Sequence, residues 1–441
     1  MALHAQLLVL ALAPGFTQTD EWPQFRGPNG TGAGSGDPPV SWDVGKGENV
    51  RWKVPIPGLA HSSPVVWGGR VFVTTAVPAG GEAELRTGWL GGSVAPADER
   101  GEWEWRVLCI DRKDGSVLWN RLAKSGVPRF KRHPKSTHAN CTPATDGTRV
   151  VAFFGAEGMF CYDMDGKPLW TADLGPLNAA WHSAEIQWGF ASSPVIYDGK
   201  VVVQCDTFGS AFWAALDLAT GRELLRVPRE EDPTWATPAV HVGARTQVVL
   251  NGFKRIAGYD LSTGQELWRL KGGGDIPVPV PVVTDDLIYV TNGHGRSPIY
   301  AVRHSARGDI TPAGGSTPAG MAWWNPSRGS YMPTPIAAGD VLYVGDDNGF
   351  LTAFDARSGA AVYRERLPGG RDSTYSASPV AAGGRLYFTN ERGQVDVVRI
   401  GRKFEVMASN ELDQVCMATP AVSRGELFIR SRTHLHCVAG K

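Results

Sequence analysis

The side chains best equipped for chemistry in this 441-residue chain lie in four irregular stretches, residues 121–140, 171–190, 229–236 and 369–376. Among them His133, His138, Trp188, Trp235, Arg371 and Tyr375 combine flat aromatic surfaces with charged and hydrogen-bonding tips, the mixture that stacks and orients a ligand. Such a set suits a peptide, a glycan or an anionic ligand, because the first stretch also carries Lys124, Arg129, Lys131, Arg132 and Lys135. The third stretch carries Glu230, Glu231 and Asp232, and the basic and acidic loops are expected to face each other. No residue is assigned a catalytic role: H-E-x-x-H, G-x-S-x-G and a Walker A loop are all missing from the sequence. His133 and His138 stand five residues apart, which is not zinc-ligand spacing on a helix, and C-x-x-C does not occur. No metal site is expected.

Composition narrows the partners. Lys plus Arg and Asp plus Glu number 44 each, so no global field favours nucleic acid or an anionic membrane surface. Leu7 to Leu12 form an apolar run that ends in an Ala11-Leu12-Ala13 cleavage pattern, which marks residues 1–19 as a signal and processing segment. A periplasmic or secreted destination follows from that reading. The run is far short of the roughly 20 apolar residues that span a bilayer, so no membrane span is expected. The first cysteine is Cys109, which leaves none next to the run for a lipid anchor.

The elements that position these loops are legible as a repeat. A small residue, often Ser or Thr, then Pro, then an apolar run recurs at Pro64, Pro143, Pro194, Pro238, Pro281, Pro335, Pro379 and Pro420. The spacings run from 41 to 79 residues, with the shorter ones matching a four-stranded propeller blade of roughly 40 to 50 residues. After each Pro, alternating residues turn at pairs such as Gly68-Gly69, Asp198-Gly199 and Gly383-Gly384, which predicts a hairpin. A second hairpin follows, as in Cys109-Ile-Asp111-Arg-Lys-Asp114-Gly115-Ser-Val-Leu-Trp119. Gly 54 and Pro 31 supply the many turns this requires. Trp52, Trp119, Trp170 and Trp268 share one outer-strand position and are expected to pack between blades.

Eight anchors predict an all-β, eight-bladed propeller of four-stranded antiparallel blades over residues 20–441. The last unit stops without an outer strand, and Arg51-Trp52-Lys53-Val54 is an orphan strand suited to complete it. Pairing the chain ends would also remove an open sheet edge. The connections between blades then share one face with the loops between second and third strands. His133, His138, Trp188, Trp235, Arg371 and Tyr375 are expected to ring the channel mouth on that irregular face. The insertion from Ala76 to Glu104 reads as a lid or as decoration. Cys109, Cys161 and Cys437 occupy a slot where other blades place Ala215, Gly258 or Ala353, so the cysteines are expected to be buried free thiols.

The pattern A-x-D-x-x-T-G-x-x-x-W, visible at Ala215 to Gly221 and at Asp260 to Trp268, resembles the pyrroloquinoline quinone (PQQ) repeat. With Trp22-Pro-Gln-Phe-Arg-Gly-Pro-Asn-Gly-Thr-Gly32, the chain is similar to secreted PQQ-binding-like β-propeller proteins related to the outer-membrane assembly factor BamB. The resemblance implies a monomeric, non-enzymatic binding or scaffold propeller whose partner is a cell-envelope protein or peptide. A different class shares the repeat: PQQ-dependent, quinoprotein-type oxidoreductases, which hold the cofactor with calcium in the axial channel. Those enzymes typically carry two adjacent cysteines, and no two cysteines are adjacent here. A carbohydrate-binding or carbohydrate-cleaving propeller is a third possibility, motivated by the loop aromatic and histidine residues.

Overall fold

Behind each repeat proline the alternating residues form an innermost strand, a tight turn and further antiparallel strands that complete a four-stranded blade, the last with help from the N-terminal end. The computed structural model describes residues 20–90, 94–371 and 373–440, and the expected signal segment 1–19 lies outside them. In blade 1 the strands are Val65–Trp67, Arg70–Pro78, Trp103–Asp111 and Val117–Gly126. Eight such sheets make an eight-bladed propeller, as expected. Blade 8 takes Ala421–Ser423, Glu426–Arg430 and His434–Val438 from the C-terminal end. Its outer strand is Val50–Pro55, with Trp52 opposite Cys437, so the N-terminal strand closes the ring.

Four of the eight blade junctions share one contact. In the third-to-fourth strand pairing, the outer-strand Trp lies opposite a small residue: Trp119 faces Cys109, Trp170 faces Cys161, Trp268 faces Gly258 and Trp323 faces Ala301. A bulge follows that pair in each of these blades. The indole then packs on the glycine of the next blade's turn. A Cβ on Gly115, Gly166, Gly221 or Gly359 would come within 2.5 to 2.8 Å of Trp52, Trp119, Trp170 or Trp323. Each of those indoles also donates its Nε1–H to a carbonyl of the next blade, Arg112, Met164, Leu218 or Ala356, at 2.9 to 3.0 Å. The six cysteines are free and buried. Burial pushes the thiols of Cys109, Cys161 and Cys437 up to about 12, which keeps them protonated packing groups.

Two further belts run around the axis. The amide before each repeat proline donates to the hydroxyl of the equivalent residue in the next blade, from Ser63 to Thr142, Thr142 to Ser193 and Ser193 to Thr237, at 2.9 to 3.0 Å. Val280, Thr334 and Ser378 continue the series, onto Thr334, Ser378 and Thr419. Val280 has no hydroxyl, and the belt is interrupted there. The second belt is the segment 20–36, which winds past the blades in order at the tight-turn end. Trp22 bridges to Val66, the Pro23 carbonyl accepts from Thr145, the Gln24 side chain accepts from Ile196, and Pro28–Gly30 lies against blades 4 and 5. Arg26 reaches the carbonyls of Pro335 and Pro379 in blades 6 and 7, and Ser35 accepts from Gly425 in blade 8. Arg26 is fully buried, and burial lowers its guanidinium to about 9. Four backbone carbonyls, of Gly30, Thr31, Pro335 and Pro379, hold it.

Irregular blades have local causes. The turn aspartates accept backbone amides, as Asp217 does from Thr220 at 2.8 Å, but Arg303 occupies that position in blade 5 and cannot accept. There the chain makes an excursion instead, and Gly308–Asp309 pairs in parallel with Glu266–Lys271 as a fifth strand of blade 4. In blade 7, which lacks a T-G turn, Tyr363 of blade 6 meets Phe404 rather than a glycine. Ala408 leaves the outer slot of blade 7 small, and Trp42 packs in the same core cluster.

The docking joint makes a paired prediction. Gly221 has φ +73° and a Cβ there would stand 2.5 Å from Trp170, whereas Gly199, at φ +67°, has open space. Gly199→Ala should cost about 1 kcal/mol from backbone strain alone. Gly221→Ala should cost about 3 kcal/mol or more, because the indole must also move. Urea unfolding of the two variants measures the difference.

Candidate binding site

Segment 20–36 closes the tight-turn end of the channel, and Phe25 forms the floor of a cavity of about 330 Å³ that opens toward the irregular face. The hydroxyl belt lines its depth through Ser63, Ser193, Thr237, Thr334, Ser378 and Thr419. Above it rise the irregular loops. Trp188 stacks on Trp181 at 4.9 Å and 13°, and lies 5.9 Å from Trp235. His133 meets the Trp188 ring edge-on at 5.1 Å. The indole N–H groups are anchored to carbonyls, Trp235 to Gly189 at 2.8 Å and Trp188 to Val94 at 3.3 Å, so their ring faces are the groups left for a ligand.

Of the six residues expected at the mouth, His133, Trp188, Trp235 and Tyr375 line this one cavity. Tyr375 is buried and donates its hydroxyl to Asp396 at 2.7 Å. His138 points elsewhere. Its Nε2 lies 3.1 Å from Glu99 and its ring packs edge-on to Trp103 at 4.8 Å. Arg371 ends the short turn Pro368–Arg371, and its side chain lies outside the described residues. Sequence reasoning did not single out Tyr331, His294, Asp347 or Glu391, which also line the cavity. Asp347 and Glu391 sit in second-to-third strand loops of blades 6 and 7, and counting strands outward from Pro335 and Pro379 would have reached them.

The described parts of the insertion, 79–90 and 94–102, lie over the mouth as a strap. The Gly88 amide donates to Glu391 at 2.6 Å, Arg86 bonds the Pro134 carbonyl through its amide, and Trp89 reaches Tyr331 with ring centroids 6.3 Å apart. The basic and acidic loops do not pair with each other. Lys124 pairs with Glu157, Arg129 with Asp173, Lys131 with Asp98, Arg132 with Glu99 and Lys135 with Glu391. On the acidic loop, Glu231 holds Arg229 and Asp232 holds Lys254. Each loop found partners in its own surroundings, because the strap brings Asp98 and Glu99 onto the basic loop. The basic cluster is therefore locally neutralised and offers little to an anion.

Two of the cavity histidines, His133 and His61, are held neutral. Burial, with Lys135, Arg132 and Arg86 adding to it, lowers His133 to about 4, and its Nδ1 accepts the Lys135 amide at 3.0 Å. Burial also lowers His61 to about 4. A calcium-held quinone does not fit these donors. Calcium takes six to eight oxygen ligands, whereas of the two carboxylates lining the cavity Glu391 is already engaged by Lys135, Ser376 and the Gly88 amide, which leaves Asp347 alone. Among the described residues no group of three or more His, Cys, Asp or Glu is placed to hold a metal ion.

Repeat, blade count and closure together define a PQQ-like repeat β-propeller. The chain belongs to the family described as outer membrane protein assembly factor BamB, whose profile matches residues 104–365 and 209–441. It is 22% identical over 307 residues to outer membrane protein assembly factor BamB of Shewanella oneidensis, across 67% of this chain and 66% of that relative's length. The crystal structure of BamB from Moraxella catarrhalis superimposes with a TM-score of 0.54 at 14% identity, covering 82% of this chain and 98% of that one. Quinohemoprotein alcohol dehydrogenase from Comamonas testosteroni gives a TM-score of 0.65 at 12% identity, over 96% and 81% of the two chains. At these identities the structural likenesses speak for the fold alone. No helix of the described residues is long and apolar enough to cross a membrane.

The neutral histidines set a pH dependence. His61 and His133 titrate at about 4 and His436 at about 3 in the folded chain, all below the unfolded value of roughly 6.5. Their contribution is fully present above pH 6.5 and is lost as pH falls, because the unfolded chain binds protons first. The unfolding free energy from urea titrations should be flat from pH 8 to 7 and drop between pH 6 and 4, by up to about 1.4 kcal/mol per pH unit for each histidine. His436→Gln should flatten that slope.

Proposed function

We propose that the protein is a non-enzymatic binding module of the cell envelope that engages a protein or peptide partner through its irregular face. The observation that carries this reading is a blind axial cavity walled by Trp181, Trp188, Trp235 and Tyr331, beside charged groups that are mostly engaged with one another. The Trp188 and Trp235 rings, fixed by their own N–H bonds, offer contact area with little entropy left to lose, which is the character of a binding hot spot. The family name supports a role in assembling outer membrane proteins, and with it a periplasmic location. An export signal in residues 1–19 is part of the same proposal. The cavity chemistry supports binding over catalysis: His133 and His61 are neutral and hydrogen-bonded, and Lys135 is locked to Glu391.

The test uses immobilised protein and detergent-solubilised envelope proteins, quantified by mass spectrometry. Trp188→Ala with Trp235→Ala should reduce recovery of the captured proteins at least tenfold while the thermal midpoint moves only a few degrees. Trp268→Ala, which empties a fully buried site, should instead lower stability by about 3 to 5 kcal/mol. Saturable PQQ binding with turnover of an alcohol would overturn the reading.

A further inference from the structure

The cavity carries an unbalanced charge. Among its described lining residues Lys135 is the one lysine or arginine, and its ammonium is engaged by Glu391 at 2.6 Å and the Gly88 carbonyl at 2.8 Å. Glu391 is 1% exposed and also accepts from Gly88 and Ser376, so that pair is closed on itself. Asp347 faces the same space and is half-buried, yet its carboxylate meets only its own backbone amide. Its backbone carbonyl is fixed by the Tyr375 amide at 3.0 Å, which holds the residue in place. Burial, with Asp346 and Glu391 nearby, pushes its carboxyl upward, and its own amide and the charge of Lys135, itself closed on Glu391, offset this only in part. A half-buried carboxylate with no cation bonded to it is costly, and a positive ligand in contact would offset that cost.

The walls around it suit such a ligand. Tyr331 is close enough for Asp347 to raise its phenol further, after burial has done so. The Tyr331 ring stands 5.2 Å from His294, and Trp89 of the strap meets it edge-on at 69°. Trp89 is 61% exposed, an unusual position for so large an apolar surface unless something covers it. Across the cavity stands the stacked pair of Trp181 and Trp188. Aromatic faces attract ammonium and guanidinium groups within roughly 6 Å of the ring centre, and more strongly when water is excluded. An anion finds no free lysine or arginine among the described lining residues.

Resting on the binding reading above, we infer that the axial cavity takes an organic cation, with its charge against Asp347 and its carbon shell against Trp89, Tyr331 and the Trp181–Trp188 wall. A guanidinium or a methylated ammonium group fits this description. It could be presented by a partner's side chain or arrive as a free small molecule, and the probes separate the two sources.

The full-length folded protein is titrated with choline and its neutral isostere 3,3-dimethylbutan-1-ol, and with N-acetylarginine amide and its neutral isostere N-acetylcitrulline amide. Tryptophan fluorescence and calorimetry report binding. The expected result is saturable binding of at least one cation, at least tenfold tighter than its neutral counterpart. Preference for choline marks a free quaternary ammonium ligand, and preference for the arginine amide marks a presented side chain. Asp347→Asn should weaken cation binding about tenfold with an unchanged thermal midpoint. Trp89→Ala, on the exposed strap, should weaken it without risk to the core. Equal affinity for a cation and its isostere, no saturation by either cation, or an unaltered affinity in Asp347→Asn would overturn the inference. If protein capture still depends on Trp188 and Trp235 while no cation preference is found, only this inference fails; if capture is independent of them, the binding reading itself fails.

Discussion

The ring depends most on one joint, formed at four of its eight blade junctions, in which an outer-strand tryptophan is seated on the glycine turn of the next blade. Three conditions must coincide for it to form. The residue opposite the indole must be small, the turn glycine must have no Cβ, and the turn must offer a free carbonyl to the indole N–H. Cys161, Gly221 and Leu218 meet these conditions for Trp170. Cys109, Cys161 and Cys437 therefore belong to the joint. Where a condition fails the ring finds another filling, as with Phe404 against Tyr363 or the added strand on blade 4.

A ring held at its circumference still leaves an axis to be filled. The segment 20–36 does this at one end by giving each blade a contact in turn, and buried Arg26 ties the carbonyls of blades 6 and 7 to its own loop. The consequence is polarity. One end of the channel is sealed with uniform hairpins around it, and the other collects long connections, the strap and a cavity with a single mouth. A ligand has one face from which to enter, and the aromatic wall, the closed Lys135–Glu391 pair and the uncompensated Asp347 all lie beneath that face.

The blades were legible because their signal is periodic. Eight Pro anchors, the tight turns and the Trp slot each recur, and the orphan Trp52 strand could be assigned to blade 8 by subtraction alone. Trp323 escaped that count because Arg303 replaces the turn aspartate, and the ensuing excursion puts about three times the usual chain between third and fourth strands. Segment 20–36 read as a family marker, since nothing periodic in it reveals a path around an axis. The site was legible in part. His133, Trp188, Trp235 and Tyr375 share one cavity because they occupy equivalent loops, but His138, in the same loop as His133, turns to Glu99 on a strap whose course no local pattern encodes. Asp347 and Tyr331 lie in Gly-, Ser- and Asp-rich turns that look like ordinary solvent loops until the blades gather them.

The central claim is that the irregular face and its cavity form the binding surface. Hydrogen–deuterium exchange of the protein alone and with its captured envelope partner tests this most directly. The account predicts added protection in the strap 79–102, in residues 131–136 and 181–190, and in the 326–333 and 347–349 loops. Protection confined to the tight turns at Gly68, Asp198 and Gly383, or to the outer blade strands, would contradict it.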